Sequence, residues 1–357
     1  MPEKRTTDTA SAKFSPAFRN AGLGVFAVGI AVVVGAQQAA PPGVGQEGST
    51  SSISGRKPAD SSKQQDRWSF PLAGDQVLHL VRIEPTTYMR GSSPEQYGVA
   101  VQMLGLDSEA GKVELPQHQI MMSKPFLVSE AEVTVGQFKA FVDETGYVTT
   151  AEKEGDAYIW RGDKVARTSG SWRSPGYPQT DEHPVVCVSW YDADTFVTWL
   201  NSKTDQVKFA LPTEAEFELV LRAGSEDQFY WGDGPEGVKG LENVKDSSGN
   251  NAFGWTPSFS FSDGHAWPAP VRSYQPNDYG VYDLGGNVFE WCSDWFAPYS
   301  DEALTDPKGP LIGNERVYRG GGWRSSVSAH RSSARWGYNP VNRSNTLGFR
   351  VVARPNS

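Results

Sequence analysis

"VYDLGGNVFEWCSDWF" runs from Val281 to Phe296. An aspartate beside a pair of glycines is most often a turn former. The same stretch also offers hard oxygen donors: the carboxylates of Asp283 and Glu290 and the backbone carbonyls of Gly286 and Val288. Oxygens drawn from both side chains and turns suit calcium. Upstream, "LENVKD" and "FSDGH" offer a second set, made of Asn243, the carbonyl of Val244, Asp263 and the carbonyl of His265. The residues alone leave both readings open, and the setting shows only what bound cations could do. After Gly224 the chain has no helical period, and Gly, Asn, Asp and Trp dominate. Structureless loops longer than ~15 residues are uncommon unless they serve a function, so these need something to fix them.

Towards the N-terminus the chain becomes regular. "TVGQFKAFVDETGY" predicts a helix with Thr134 and Gln137 as a capping box, Phe138, Phe141 and Val142 on one face, and Gly146 as its stop. In "HPVVCVSWYDADTFVTWLNSK" a strand, Val185 to Val188, feeds a helix capped by Ser189 with Asp192, with Trp190, Ala193, Val197 and Leu200 on one face. "LPTEAEFELVLRAG" gives a third helix, with Thr213 and Glu216 as the box and Gly224 as the stop. "QVLHLVRIEPTTYMRGS" reads as a strand ending at Arg90–Gly91, and "HQIMMSKPFLVSEAEVT" as two more. The pattern is α+β, with short helices on a small sheet and long loops beyond.

The 357 residues are enough for one large domain or two small ones, and the net charge is -9. That charge argues against a nucleic-acid partner, which would call for a basic stripe. The two cysteines, Cys187 and Cys292, form no C-x-x-C pair. They read either as a disulfide or as two buried thiols. Lys4, Arg5, Lys13 and Arg19 precede an apolar run from Ala21 to Ala36. Its length, about 16 residues, falls short of the ~20 a membrane span needs. Residues 1–40 are therefore expected to be an export signal or an N-terminal membrane anchor, with 21–36 as the tether. Residues 41–72 are expected to be a polar linker and 73–357 the folded domain, in a periplasmic or extracellular, possibly anchored, protein.

Five segments, "HPVVCVSW", "LPTEAEFE", "DLGGNVFEWCSDWF", "RVYRGGGW" and "NTLGFRVV", together resemble the formylglycine-generating enzyme (sulfatase-modifying factor) family, in the family's order. The resemblance covers roughly residues 75–357. It implies a C-type-lectin-like fold, loop-rich with little regular secondary structure. It also implies two calcium sites, on Asn243, Val244, Asp263 and His265 and on Asp283, Gly286, Val288 and Glu290, with Asp283 standing where Asn is common.

The family's oxidase uses two cysteines in the loop after the glycine turn, which hold copper and convert a sulfatase cysteine to formylglycine. Here that loop reads "GGGWRSSVSAHRSSAR". Ser325 stands at the first cysteine position, and the second falls among Ser, Ala and His. A serine hydroxyl stays protonated near neutral pH, and Cu(I) prefers soft thiolates, so copper and the oxidase reaction are not expected. A hydrolase built on Ser325, Ser326 or Ser328 with His330 lacks a nucleophile elbow and an orienting group.

The loop reads instead as a polar recognition segment with an exposed His330. The expected binding cleft is Trp323, Arg324, Ser325, Ser326, His330, Arg331 and Trp336. Arg319, Arg324, Arg331, Arg335 and Arg343 either grip an anionic ligand or pair with core acids, and Arg350 is expected to pair in the core. The ligand would be a peptide, glycan or protein. The alternatives are an oxidoreductase acting on a secreted protein or metabolite through a non-cysteine metal site, and a structural envelope component.

Overall fold

The structure, a computed structural model, describes residues 67–356. In chain order the elements are β1 (Arg67–Pro71), β2 (Val77–Ile83), β3 (Thr86–Arg90), α1 (Pro94–Met103), β4 (His118–Met122), β5 (Phe126–Ser129), α2 (Val135–Thr145), α3 (Thr150–Glu154), β6 (Ala157–Arg161), β7 (Lys164–Thr168), α4 (Trp190–Asn201), β8 (Val207–Ala210), α5 (Glu214–Arg222), α6 (Asn250–Phe253), β9 (Phe289–Trp295), β10 (Leu304–Thr305), β11 (Arg316–Arg319), β12 (Arg335–Tyr338), β13 (Leu347–Gly348) and β14 (Val352–Pro355). The organisation is α+β. A five-stranded sheet has the order β1-β2-β5-β14-β8, and its neighbouring strands are all antiparallel. A four-stranded sheet, β12-β11-β9-β13, carries the loops that matter below, alongside a three-stranded sheet, β10-β4-β3, and the β6–β7 hairpin.

The middle of the five-stranded sheet is buried on both faces, whereas its edge strand β1 is exposed, and β2 shows how the sequence encodes this. Leu78 and Leu80 enter the core cluster with α2 and α4, while Val81 and Ile83 enter the cluster with α5. Side chains on a strand alternate between faces, so a change of phase within one short run supplies two cores. On the first face Phe138 of α2 lies parallel to Phe196 of α4, with ring centroids 5.9 Å apart.

All three expected capping boxes are present, at Thr134/Gln137, Ser189/Asp192 and Thr213/Glu216. Gly146 closes α2 at φ 67°, whereas the left-handed residue closing α5 is Ala223, one position before the expected Gly224. A fourth box, Ser93/Gln96 with Pro94, opens α1, which the sequence reading passed over.

Three expectations change. Val185 to Val188 is not a strand. Val185 donates to the Val133 carbonyl, and Cys187 turns to φ 59° so that its N–H reaches the Ser344 carbonyl. Pairing with two separate segments replaces a ladder. The single strand expected to end at Arg90 is two, β2 and β3, which part at Glu84–Pro85 into different sheets. The membrane anchor is withdrawn, and with it the tether and the anchored location. Among the described residues no helix is long and apolar enough to cross a membrane, and the stretch 21–36 on which the anchor rested lies outside them. Most of the expected linker also lies outside; its last residues belong to β1, which pairs with β2.

The Thr134 and Thr213 caps are both buried, and each side chain accepts the N–H three residues on. Thr134→Ala and Thr213→Ala are each expected to lower unfolding free energy by about 1 kcal/mol. Urea denaturation monitored by tryptophan fluorescence would check this through a lower midpoint at unchanged slope.

Candidate functional site

The two oxygen-rich stretches, some forty residues apart, form one unit. The Asn287 N–H donates to the Asn243 carbonyl at 2.9 Å, and the Gly285 N–H donates to Glu242 Oε1 at 2.9 Å. Gly286 lies so close that a Cβ there would fall 2.6 Å from the Asn243 carbonyl oxygen. Asp283 and Asn287 adopt φ of 58° and 55°, left-handed values that short polar residues tolerate best.

In the first expected set Asp263 is the organiser. Its Oδ2 accepts from the Val244 N–H at 2.9 Å and its Oδ1 from the His265 N–H at 2.8 Å. Asn243 donates through its amide nitrogen to the Trp267 carbonyl, leaving its Oδ1 buried without a partner. Burial first, and then neighbouring Asp246, push the Asp263 carboxyl up to about 7 against the pull of the two amides. The four residues named from the sequence do come together, and Asp246, fully buried, joins them unforeseen.

In the second set Glu290 is engaged by the protein itself. Arg350 donates to both its oxygens, from Nε and Nη2, each at 2.7 Å. Asp283 Oδ2 accepts the Arg272 N–H at 2.7 Å, while its Oδ1 is buried and unpartnered. Glu132, just before α2, lies in the same nest. Its Oε1 accepts from Asn287 Nδ2 at 3.1 Å and its Oε2 has no partner. Burial, then Asp283 and Glu290, push the Glu132 carboxyl well above its ordinary range. Glu242 is pushed up to about 8 by burial and by Asp283. No motif pointed to Glu132 or Glu242. The only available signal was that both are acids next to apolar runs destined for the core.

Among the described residues no three His, Cys, Asp or Glu converge on one metal position. An ion here would have to be held partly by carbonyls, as the Gly286 and Val288 positions allow. The donors are oxygens only, with surplus buried negative charge and unpartnered carboxylate and amide oxygens, and this fits a hard divalent cation such as calcium.

The arginine-rich loop is mostly core. Arg319 meets Glu218 at 2.5 Å, Arg335 meets Glu214 at 2.6 Å, and Arg331 grips both oxygens of Glu114 at 2.6 Å. Arg343 pairs with Glu154 and Asp156. Burial alone would raise Glu214, but Arg335 and Arg319 hold it down at about 2. Of the five arginines only Arg324 behaves differently. It stacks on the Trp160 ring at 3.5 Å and donates to the Gly162 carbonyl.

The cleft residues divide accordingly. Trp323 is buried among Phe253, Trp255, Trp267 and Tyr177. His330 and Arg331 are each 1% exposed. Ser325 is buried, Ser326 is exposed, and Arg324 and Trp336 are half-buried.

The expected exposed His330 is therefore corrected to a structural one. Its Nδ1–H donates to the Gly285 carbonyl at 2.6 Å, tying the serine loop to the oxygen-rich turn. A Cβ on Gly321 would lie 2.2 Å from that Nδ1, which is why a glycine stands there. Burial pushes His330 down to about 4.

The copper site implied by the resemblance does not fit. Ser325 offers a hydroxyl, and both cysteines are free thiols, buried in different core clusters, Cys187 beside Trp323 and Cys292 on β9. Burial pushes both thiols up, away from the thiolate form that copper would need.

Comparison with known proteins gives a consistent result. The Sulfatase-modifying factor enzyme 1-like domain matches residues 74–355. The formylglycine-generating enzyme of Streptomyces coelicolor is 35% identical over 272 residues, 67% of this chain and 81% of that protein. The inactive C-alpha-formylglycine-generating enzyme 2 of Bos taurus is 30% identical over 319 residues, 80% of this chain and 91% of that protein. Among solved structures, PvdO from Pseudomonas aeruginosa superposes with a TM-score of 0.61 at 26% identity, over 80% of this chain and 98% of that one.

The depressed His330 predicts an acid-sensitive fold. As pH falls below the ordinary histidine value, the unfolded chain takes up a proton that the folded chain refuses. Stability is then lost progressively down to the folded value near 4, by about 3 kcal/mol in all. Denaturation of wild type and His330→Gln between pH 7 and 4 should show a steeper loss for wild type, with the two curves converging at acid pH.

Proposed function

This chain belongs to the formylglycine-generating enzyme family, and from that premise we propose that it is a calcium-stabilised binding protein without the family's copper oxidase chemistry. The observation that carries the reading is the serine loop itself. Ser325 stands where a copper-binding thiol would be, and the chain's only two thiols are buried, free and locked in separate core clusters. A bovine relative that carries "inactive" in its name points the same way. The C-type-lectin-like architecture implied by the resemblance goes with this reading, the α+β organisation being its coarser part.

Calcium would supply positive charge to the two oxygen sets and fix the turns that carry them. The binding surface narrows to the accessible part of the expected cleft, made of Arg324 on Trp160, Ser326 and Trp336. A guanidinium stacked on a half-buried tryptophan suits a peptide or a glycan with an anionic group. Arg324 is paired only loosely, 3.9 Å from Asp163, so a ligand would not have to break a buried ion pair to reach it.

Three sets of measurements check the reading. Purified protein should contain no stoichiometric copper and form no aldehyde on a cysteine-bearing sulfatase peptide; aldehyde formation would overturn it. Chelation should lower the melting temperature and calcium restore it, by the equivalent of about 2.7 kcal/mol at a hundredfold excess over the dissociation constant. An unchanged melt would remove the calcium claim. Arg324→Ala should abolish binding on a peptide or glycan array while changing stability by under about 1 kcal/mol.

A further inference from the structure

The nest around Arg350 has a charge imbalance that its own residues do not resolve. Glu132, Asp283 and Glu290 are each at most 2% exposed, and Arg350 is the guanidinium that reaches into them. Arg350 is committed to both oxygens of Glu290 and to the carbonyls of Ser129, Tyr282 and Asp283. Nearby Arg272 sends its guanidinium to Glu130 and Glu182 and offers Asp283 only its backbone N–H. Glu132 receives one neutral donor, the Asn287 amide.

With the Glu290–Arg350 pair neutral, two carboxyl groups remain, each with one buried oxygen that no donor reaches; Asp283 raises the cost of ionising Glu132, while Glu132, within hydrogen-bonding reach, favours the ionised form of Asp283. Leaving two such oxygens dry and unmatched is strongly unfavourable. Either a shared proton or a positive ion must sit between them.

We propose that Glu132 and Asp283 form a two-carboxylate clamp for a divalent cation, so that Glu132, supplied by the segment before α2, is a ligand of the ion at the Asp283–Glu290 turn. The clamp rests on the calcium reading and extends it. Its net charge of two matches a divalent ion, whereas an Asn at position 283 would leave a single charge. The carbonyls of Gly286 and Val288 complete the oxygen set, in keeping with the absence, among the described residues, of three converging acids. Glu290 then acts mainly as the partner that holds Arg350, and it is Glu132 that brings the β5–α2 connection under the ion's control.

The test is calcium titration by calorimetry at pH 7.5 on chelator-stripped full-length protein, with melting curves in chelator and in calcium, for wild type, Glu132→Gln and Asp283→Asn. Asp283 already has a φ of 58°, which asparagine accommodates, so the second variant keeps the test alive if the first fails to fold. Each variant should bind calcium roughly 10- to 100-fold more weakly. Each should also melt higher than wild type in chelator, where repulsion is relieved, and lower in calcium. That crossing would not arise from mere structural damage.

If wild type binds calcium and Glu132→Gln binds it equally well, the clamp is wrong and the calcium reading survives. If the variants melt below wild type in chelator, a shared proton holds the pair and the clamp is wrong. If wild type shows neither binding nor a melting shift, both readings fall together.

Discussion

The bond between Arg350 and Glu290 is the constraint on which the irregular half of this protein depends. One guanidinium, from the segment just before β14, grips both oxygens of an acid on β9 and donates to carbonyls at the end of β5 and in the turn at Tyr282–Asp283. Three segments far apart in sequence meet on one rigid, planar group. Arginine suits the role because its fork of donors is fixed and its charge persists when buried. Breaking such a pair leaves a charge stranded in the interior, at a cost of about 3–5 kcal/mol, so the loops it joins cannot drift apart cheaply.

The same device recurs along the serine loop. Arg319 reaches both Glu214 and Glu218 on α5, Arg335 shares Glu214 with it, and Arg331 clamps Glu114. These pairs fix the loop at both ends, where β11 stops and β12 starts, and once between them. They also account for the loop's composition. A run of arginines and small serines looks like a surface that grips anions, yet most of its charge is consumed internally. The serines are small enough to let guanidinium groups reach acids behind them, as Ser333 does beside Arg331 and Glu114. What remains outward is the Arg324–Trp160 stack and its neighbours.

His330 joins these two systems. Its bond to the Gly285 carbonyl fixes the serine loop to the turn that presents Asp283, Gly286 and Glu290. Gly285 is thus held at its carbonyl by His330 and at its N–H by Glu242. The turn and the loop are joined a second time by the Trp323 N–H, which donates to the Asn287 carbonyl at 2.8 Å.

The sequence by itself determined what is local. Capping boxes at Thr134, Ser189 and Thr213 were legible because they bond within four residues. The absence of thiols from the serine loop was also plain, and the expectation of no copper there rested on it. Only the tertiary structure decided where each charge goes. Whether an arginine grips a ligand or Glu114, whether His330 is exposed or carries the Gly285 bond, and whether Glu132 stands beside Asp283 all depend on contacts spanning tens to hundreds of residues. A carboxylate reads the same in sequence whether it lies in water or in a dry nest. Its chemistry is set by the dielectric and by the charges around it, and those exist only after the chain has folded.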